Sequence, residues 1–333
     1  MSRAPVAPRF KQQIAACIAL GNLCISPNPS LRAQRSNPFF LAYQALVDRR
    51  VAALLAMTDL CRPSLGIKKQ PAACYAVNLM RTEAMKKHRL QTQIDHLVVA
   101  ARSLNEGVAW CKATLGITPD AGGEHEQFGT HNRLFKIATP RYPMAYFEII
   151  AINPDACAQK RSANKRWFDL DDDGLQASIA QQPALIHFVV STTDIQLASN
   201  TWKSQGLDVG SVVHANRRTG KGILNWQITV RNDGQRLYDG TLPTLIQWGK
   251  PDEADPMRLH PSNSLPPSGV GLQSITVSHP ATDLLTSAYK AVHLNDIEIS
   301  SGEANISAHL QTPKGLVVLQ IAANQFDLVR IAL

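Results

Sequence analysis

The sequence lacks several features that define large classes of protein. No run of about 18 or more apolar residues occurs in its 333 residues, so we expect no membrane-spanning helix. Beyond residue 93 only Cys111 and Cys157 occur, with no CxxC spacing, which predicts a reducing compartment without structural disulfides. Charged residues make up only 18% and hydrophobic residues 44%, a composition that argues against a wholly disordered chain, a coiled coil or a fibre.

Acidic residues are scarce in the first part of the chain. Residues 1–93 hold 14 Lys and Arg but only Asp48, Asp59 and Glu83, a balance of +11, whereas the remainder holds 20 basic and 23 acidic residues, a balance of −3. The net charge of +8 therefore lies on the first segment and not on a folded surface. A nucleic-acid-binding protein needs a basic patch on a fold, so we expect no nucleic-acid partner.

Residues 1–90 show neither helical nor strand periodicity and are interpreted as a basic, poorly structured extension. Three interpretations remain open: a targeting peptide, a basic tail for an anionic partner, and translated DNA upstream of the true start. The third is favoured because SLRAQRSNP and DRRVAALLAMT resemble translated repetitive bacterial DNA. Met80 or Met85 would then be the start, since MKKHRLQTQIDHLVVA leads directly into a predicted strand.

From residue 94 onward the element order β-α-β-β-β is predicted twice, and a third time in shorter form. The first helix, 103–115, has Ser103 as its N-cap, Glu106 in capping-box spacing and Gly116 as its stop. We expect two such modules over 91–250, followed over 251–333 by a Pro-rich linker and a third, partial module. The first and last predicted strands are 94–100 and 145–152 in the first copy. They are 185–191 and 243–248 in the second copy, and 272–278 and 316–321 in the third.

Polar residues occur at matching places in the apolar strands of the two complete copies. His96 lies in the first strand of one copy and His187 in the first strand of the other, and alternation places each on a face with apolar neighbours. Glu148 lies in the last strand of the first copy, where both faces are apolar. Gln247 lies in the last strand of the second copy, and Ile246 takes its place if the register shifts by one residue.

A carboxylate is costly to bury unless it is neutral or paired with a cation, and a divalent metal would supply that charge. Imidazole nitrogens and carboxylate or amide oxygens suit Zn, Ni, Mn, Fe or Co. If the two copies face each other, His96, Glu148, His187 and Gln247 form a predicted metal site to which each copy contributes its first and last strand.

A repeated βαβββ unit that opens with IDHLVV and closes with YFEIIA resembles the vicinal-oxygen-chelate superfamily, which includes glyoxalase I, resistance proteins and extradiol dioxygenases. The stretch 94–248, with GGEHEQFGTHNRL and LPTLIQW, is similar to the glyoxalase-like domain proteins of bacteria. The resemblance implies an α+β fold of paired βαβββ modules in a cupped mixed sheet, with a third, degenerate module at the C-terminus. It further implies metal binding by His96, Glu148 and His187, with Glu148 as the catalytic base.

The chemistry that the resemblance implies is metal-stabilised, enediolate-like chemistry on a small oxygenated molecule. Lyase, isomerase and dioxygenase activities remain open, although Gln247 stands where glyoxalase I has a second Glu. The alternative is a metal-free protein of the same fold that binds or sequesters a small molecule. We expect a cytoplasmic protein with a small-molecule substrate and no membrane partner, and the sequence leaves a homodimer open.

The glycine-rich stretch 121–130 is predicted to be a loop, either at the mouth of the cavity or as a turn with solvated histidines. His131, Asn132 and Arg133 are expected to contact the substrate in preference to His125, and Trp226 to form part of the cavity wall.

Two charged stretches have simpler interpretations. The basic turn at Arg217, Arg218 and Lys221 is interpreted as a solvated tip, or, if it lies near the cavity, as a binding site for carboxylate or phosphate. The acidic run 171–173 is interpreted as a solvated turn, because its spacing does not match a calcium loop.

Overall fold

The computed structural model describes residues 90–156, 165–250, 253–321 and 330–331. All of these lie within one compact unit, Arg89–Leu333. The predicted basic extension lies outside the described residues except for Leu90, as do Cys157 and the cysteines of the first 93 residues.

An eight-stranded sheet is formed by two modules of the same element order, as predicted. The first module comprises β1 (Thr92–Ala100), α1 (Leu104–Leu115), β2 (Asp120–His125), β3 (Thr130–Lys136) and β4 (Tyr146–Ile152). A connecting helix, α2 (Asp173–Ile179), leads to the second module, which comprises β5 (Ala184–Thr192), α3 (Ile195–Ser204), β6 (Ser211–Thr219), β7 (Gly222–Val230) and β8 (Thr244–Trp248). The strand order is β2-β3-β4-β1-β5-β8-β7-β6, with the two first strands side by side at the centre.

Two irregularities interrupt the central β1–β5 ladder. β1 runs parallel to β4 and antiparallel to β5, and its register with β5 shifts between Ile94 and His96 and again between Val98 and Val99. Because a bulge places an extra residue in one strand, it changes which side chains face each side of the sheet. Ile94 therefore packs in the outer core with Leu97, whereas strict alternation would place it on the face of His96.

The helix boundaries follow from local capping. Helix α1 begins after Ser103, whose side chain accepts a hydrogen bond from the Glu106 backbone N–H at 3.3 Å. It ends at Gly116, whose φ of 79° lies in the left-handed region that glycine adopts without steric cost. Both ends match the prediction from sequence.

The two faces of the large sheet pack against different partners. In β4, Phe147 and Ile149 belong to the outer core, beneath helix α1, while Tyr146 and Ile150 belong to a second cluster on the concave side. This alternation places Glu148 on the concave side between two apolar neighbours. The helices therefore cover one face, and the other face is left to form a cup.

The third unit follows the linker and its short helix α4 (Pro261–Ser264). It comprises β9 (Gly271–Ser278), α5 (Thr282–Ala291), β10 (Glu298–Ser300), β11 (Asn305–Thr312), β12 (Gly315–Gln320) and β13 (Arg330–Ile331). The element order resembles that of a module, but β9 lies between β10 and β11, so the strand pairing differs from that of the two complete modules.

The third unit packs on the outer, helix-covered face of the large sheet. Trp202 of α3 is fully buried, and its Nε1 donates a hydrogen bond to the Ala288 carbonyl at 2.7 Å. The Tyr289 hydroxyl donates to the Thr241 carbonyl. Apolar side chains of β9, α5 and β11 join the same outer core, so this unit leaves the cup open.

Within the described ranges, no helix has both the length and the apolar character needed to cross a membrane. The cytoplasmic location stays a prediction.

Candidate functional site in the cup

The concave face of the large sheet encloses a cavity of about 400 Å³, counting the space at its open side. Polar groups are few and stand among aromatic and aliphatic side chains, as is typical of small-molecule sites. The lining residues are His96, His125, Asn132, Leu134, Tyr146, Glu148, Trp167, Phe168, Arg217, Leu224, Trp226, Ile228, Ile246, Trp248 and Pro261.

His96 and Glu148 face each other on the floor of this cavity. The register of β1 and β4 places them two residues apart along neighbouring parallel strands, so that His96 Nε2 lies 3.6 Å from Glu148 Oε2. Both side chains are about 5% exposed. The other carboxylate oxygen, Oε1, accepts a hydrogen bond from Asn132 Nδ2 at 2.6 Å, which fixes the carboxylate from behind.

Asp95 holds the far side of the His96 ring. Its Oδ1 lies 2.6 Å from His96 Nδ1, and its Oδ2 accepts hydrogen bonds from Trp248 Nε1 at 2.8 Å and from His260 Nε2 at 3.1 Å. Burial alone raises the pKa of Asp95, but the pairing with His260 and His96 outweighs it and holds that pKa well below its usual range. Asp95 is thus an ionised, fully buried carboxylate that accepts three hydrogen bonds.

This arrangement fixes the tautomer of His96. An ionised carboxylate only accepts hydrogen bonds, so Nδ1 of His96 carries the hydrogen directed at Asp95. A neutral ring then presents a lone pair at Nε2 towards the lone pairs of Glu148. Two acceptors 3.6 Å apart repel each other unless a proton or another cation lies between them.

Asn132 and the glycines of β2 form the wall beside Glu148. The Gly123 backbone N–H donates to Asn132 Oδ1 at 2.8 Å, and Asn132 Nδ2 lies 3.3 Å from His125 Nε2. A Cβ on Gly122 would lie 2.1 Å from Asn132 Oδ1, so only glycine allows this approach. Burial, and then the charge of Arg217, lowers the pKa of His125 to about 3, so its ring is neutral.

His187 lies at the equivalent place in the second module, but its ring is already fully paired. The parallel register sets Val98 opposite Glu148 and Val189 opposite Thr244, so Thr244 occupies the position of Glu148. His187 Nδ1 lies 2.8 Å from the Gly240 carbonyl, and His187 Nε2 accepts from the Thr244 backbone N–H at 3.1 Å.

Burial, and then the charge of Arg236, lowers the pKa of His187 to about 3. The Phe168 ring lies 5.3 Å from the His187 ring, and Phe168 takes the place in the cavity lining that was expected for His187. The predicted metal ligand is therefore a structural histidine.

Gln247 faces away from the cup. Its Oε1 accepts a hydrogen bond from the Ile195 backbone N–H at 2.8 Å, at the start of α3 on the outer face, whereas Ile246 lines the cavity. The register alternative, in which Ile246 occupies the inward position, is the one that the structure adopts. The predicted four-residue metal site is not assembled, because His187 is occupied and Gln247 points outward.

Among the described residues, no group of three or more His, Cys, Asp and Glu side chains is placed to hold a metal ion. The set of two histidines and one carboxylate that a non-haem iron dioxygenase uses is also not assembled there. His96 Nε2 and Glu148 Oε2 are the two donors of the predicted set that do meet. They do not form a complete set of protein ligands for the divalent metal that the resemblance implies.

The predicted substrate contacts divide between the two faces of β3. Asn132 and Trp226 line the cavity as expected. His131 and Arg133 alternate with Asn132 and share the face of Phe135, which belongs to the outer core. Their predicted contact with a substrate is therefore corrected: both side chains point away from the cup.

The two charged stretches also differ from expectation. Strand β6 continues to Thr219, so Arg217 lies within the strand and lines the cavity, while Arg218 and Lys221 are exposed as predicted. The acidic run 171–173 begins helix α2: Asp172 caps it by accepting the Leu175 backbone N–H at 2.8 Å, and Asp171 pairs with Arg166.

Several site residues were not predicted from the sequence. Asp95 directly precedes His96, and an acid next to a strand histidine was the one available signal. His260 lies in the linker, 165 residues from Asp95 along the chain, and no local sequence pattern indicates that it belongs to the site. Tyr146 stacks its ring on His96 at 4.5 Å between centroids, and the apolar pattern of its strand gave no sign of this contact.

Two βαβββ modules share one cupped sheet, with a polar pair on the first and last strands of one module, which is the architecture that the resemblance to the vicinal-oxygen-chelate superfamily predicted. Within it, the chain belongs to the family described as glyoxalase-like domain, whose model matches residues 94–293. No curated protein matches the chain.

Solved structures with a similar fold include a hypothetical protein from Staphylococcus aureus, 18% identical, covering 64% of this chain and 88% of its own, with a TM-score of 0.44. A methylmalonyl-CoA epimerase from Streptomyces coelicolor is 17% identical and covers 46% of this chain and 96% of its own, with a TM-score of 0.29. The epimerase from Mycobacterium tuberculosis is 17% identical, with coverages of 49% and 93% and a TM-score of 0.27. Similarity at this level carries no argument about activity.

Proposed function

We propose that the cup is the active site of a proton-transfer enzyme, of isomerase or lyase type, that acts on a small oxygenated molecule. The observation that carries this proposal is the opposed pair of His96 Nε2 and Glu148 Oε2, 3.6 Å apart, each fixed from behind by its own partner. One proton shared by two buried groups makes one of them an acid and the other a base.

The proposed step uses both groups at once. A hydrogen on a carbon next to a carbonyl passes to the Glu148 carboxylate, while the bonding electron pair stays on the substrate. His96, carrying the shared proton on Nε2, donates it to the carbonyl oxygen, so an enol forms and no net charge is created in the cavity. The Asp95 carboxylate stabilises the protonated ring before transfer and keeps Nε2 directed at the cavity.

Exchange of carbon-bound hydrogen with deuterated solvent tests this proposal without a known substrate. The panel contains neutral hydroxyketones, such as hydroxyacetone and acetoin, and short 2-oxo and 2-hydroxy carboxylates, each followed by proton NMR. We expect at least one compound to exchange, and His96→Gln and Glu148→Gln each to slow that exchange about 100-fold or more. His131→Gln, on the opposite face of the sheet, is the matched control and keeps the wild-type rate.

Exchange that persists unchanged in both variants contradicts the proposal. Binding without exchange favours the alternative of a small-molecule binding or sequestering protein of the same fold, which needs the cavity but not the acid–base pair.

A metal-dependent enzyme is the second candidate, and one contact favours it. Histidine ligands usually donate their second ring N–H to a carboxylate, as His96 does to Asp95. Elemental analysis of protein purified without chelator, for wild type and Glu148→Gln, tests it. Stoichiometric metal that is lost in the variant supports this candidate, and metal-free wild type or equal content in both contradicts it.

A further inference from the structure

Arg217 is the one Arg or Lys side chain that lines the inner cavity among the described residues. It lies on β6, opposite Leu224 of β7, and it lines both the inner cavity and the wider groove at its mouth. Burial lowers the pKa of this guanidinium, while nearby Tyr146 and Glu148 raise it. Arg217 and Glu148 line the same cavity, although no ion pair joins them among the described residues.

The Nη1 atom of Arg217 is buried and has no hydrogen-bond partner among the described residues. Two more buried side-chain atoms without partners border the same space: Trp167 Nε1 on the inner cavity and Gln127 Nε2 on the groove. All three are hydrogen-bond donors. A buried donor without an acceptor costs free energy, so such donors on the inner cavity and on the groove at its mouth call for a ligand that is rich in acceptors.

The backbone of β2 makes room for Arg217. A Cβ on Gly123 would lie 2.3 Å from Arg217 Nη1 and 3.0 Å from its Cδ, so a glycine at this place lets the guanidinium lie against the strand. The same glycine donates its backbone N–H to Asn132, the residue that holds Glu148. The position of the cation and that of the acid–base pair are thus set by one short segment.

We infer that the substrate of the cup carries a carboxylate, which Arg217 binds while the neighbouring carbon lies at Glu148. This inference rests on the proposed function, because it names the class of molecule on which the His96–Glu148 pair acts. A guanidinium donates two parallel hydrogen bonds to a carboxylate, and a partly buried one binds it more strongly than an exposed one does.

The charge balance favours a carboxylate over a phosphate. The ionised Asp95 does not line the cavity, because its own hydrogen-bond partners hold it behind His96, so Arg217 and Glu148 are the Arg and acidic side chains that face the cavity among the described residues. A singly charged carboxylate pairs with one guanidinium and leaves Glu148 free to act as a base. A doubly charged phosphate would bring a second negative charge towards Glu148 and be repelled.

Binding measurements with matched probes test the inference in the whole protein. Calorimetry compares short 2-oxo and 2-hydroxy carboxylates with their uncharged amides and with inorganic phosphate. We expect at least one carboxylate to bind about tenfold or more tightly than its amide, and phosphate to bind no better than the amides. Arg217→Met should remove this preference, and Arg217→Lys should restore part of it.

Lys221→Met is the matched control, since it removes one positive charge from an exposed position in the turn after β6 and should change nothing. Equal binding of carboxylates and amides by the wild type contradicts the inference without any variant, and so does the absence of carboxylate binding. A preference for carboxylates over amides that survives Arg217→Met contradicts the inference as well. If phosphate binds more tightly than every carboxylate, the inference is also contradicted and the site is assigned to phosphate.

Failure of this inference is distinguishable from failure of the proposed function. If only neutral hydroxyketones exchange, and this exchange depends on His96 and Glu148, the proposed proton-transfer activity is supported and the carboxylate inference is contradicted. Carboxylate binding through Arg217 without any exchange supports the carboxylate site and contradicts the proposed proton-transfer activity.

Discussion

Thr244 lies in the second module where Glu148 lies in the first, as the matched registers of the two parallel strand pairs require. The consequence is that only one half of the cup contains a histidine–carboxylate pair. His96 faces a carboxylate across 3.6 Å, whereas His187 is hydrogen-bonded to Thr244 and to the Gly240 carbonyl. Both copies of the module therefore carry the histidine, but only the first copy combines it with a carboxylate.

The buried histidines predict how stability depends on pH. The pKa of His187 is about 3 in the folded protein, against 6.5 for the solvated ring in the unfolded chain, so below pH 6.5 the unfolded chain binds a proton that the folded chain does not. Stability should rise with pH between about 3 and 6.5, by up to about 1.4 kcal/mol per pH unit for this one group, and level off above it. His125, with a pKa also lowered to about 3, adds to the same slope.

Urea denaturation of wild type and His187→Asn at several pH values measures this contribution. The variant should be less stable above pH 6.5, by about 2 kcal/mol, because Thr244 and Gly240 lose a partner, and its pH slope should be shallower. His214→Gln, at an exposed position, should keep the wild-type slope. A slope that is the same in all three proteins would show that His187 titrates normally.

Asp95→Asn tests the support behind His96. An amide at this position presents donors to His96, Trp248 or His260, which are donors themselves, so we expect a loss of about 3 kcal/mol in the free energy of unfolding. The His96 ring should also change its tautomer, which the nitrogen shifts of the imidazole report by NMR. Asp173→Asn, at an exposed carboxylate, is the control. An unchanged tautomer would mean that Asp95 does not orient the ring.

Gly123→Ala tests the packing of the cation. The added Cβ would displace the end of a flexible side chain, so we expect weaker binding of short carboxylates, by roughly threefold to tenfold, with little loss of stability. Gly220→Ala, in the turn after β6 with open space around it, should change neither property. Unaltered carboxylate affinity in Gly123→Ala would place the anion away from Arg217.

Most of the architecture could be predicted because each element carries its own local signal. The capped helix α1, the strand of FEIIAI and the recurrence of the same element order predicted the paired modules. His96 and Glu148 could be predicted as partners because first and last strands of one module are neighbours in this fold.

The rest of the site depends on features that no periodicity encodes. A register shift beside Asp95 and another near His187 decide which side chains reach the cup. Arg217 was expected at a turn, but β6 extends past it, and alternation then points it inward. The full pairing of His187 comes from a loop carbonyl 53 residues away, a long-range contact that a single sequence does not display.

The most direct test of a one-sided site compares the two equivalent histidines in the same exchange experiment. Rates of deuterium exchange are measured for wild type, His96→Gln and His187→Gln, each normalised to its folded fraction by circular dichroism. The account predicts that His96→Gln loses about 100-fold or more while His187→Gln stays close to wild type. Equal losses in both variants would contradict it and return His187 to the functional site.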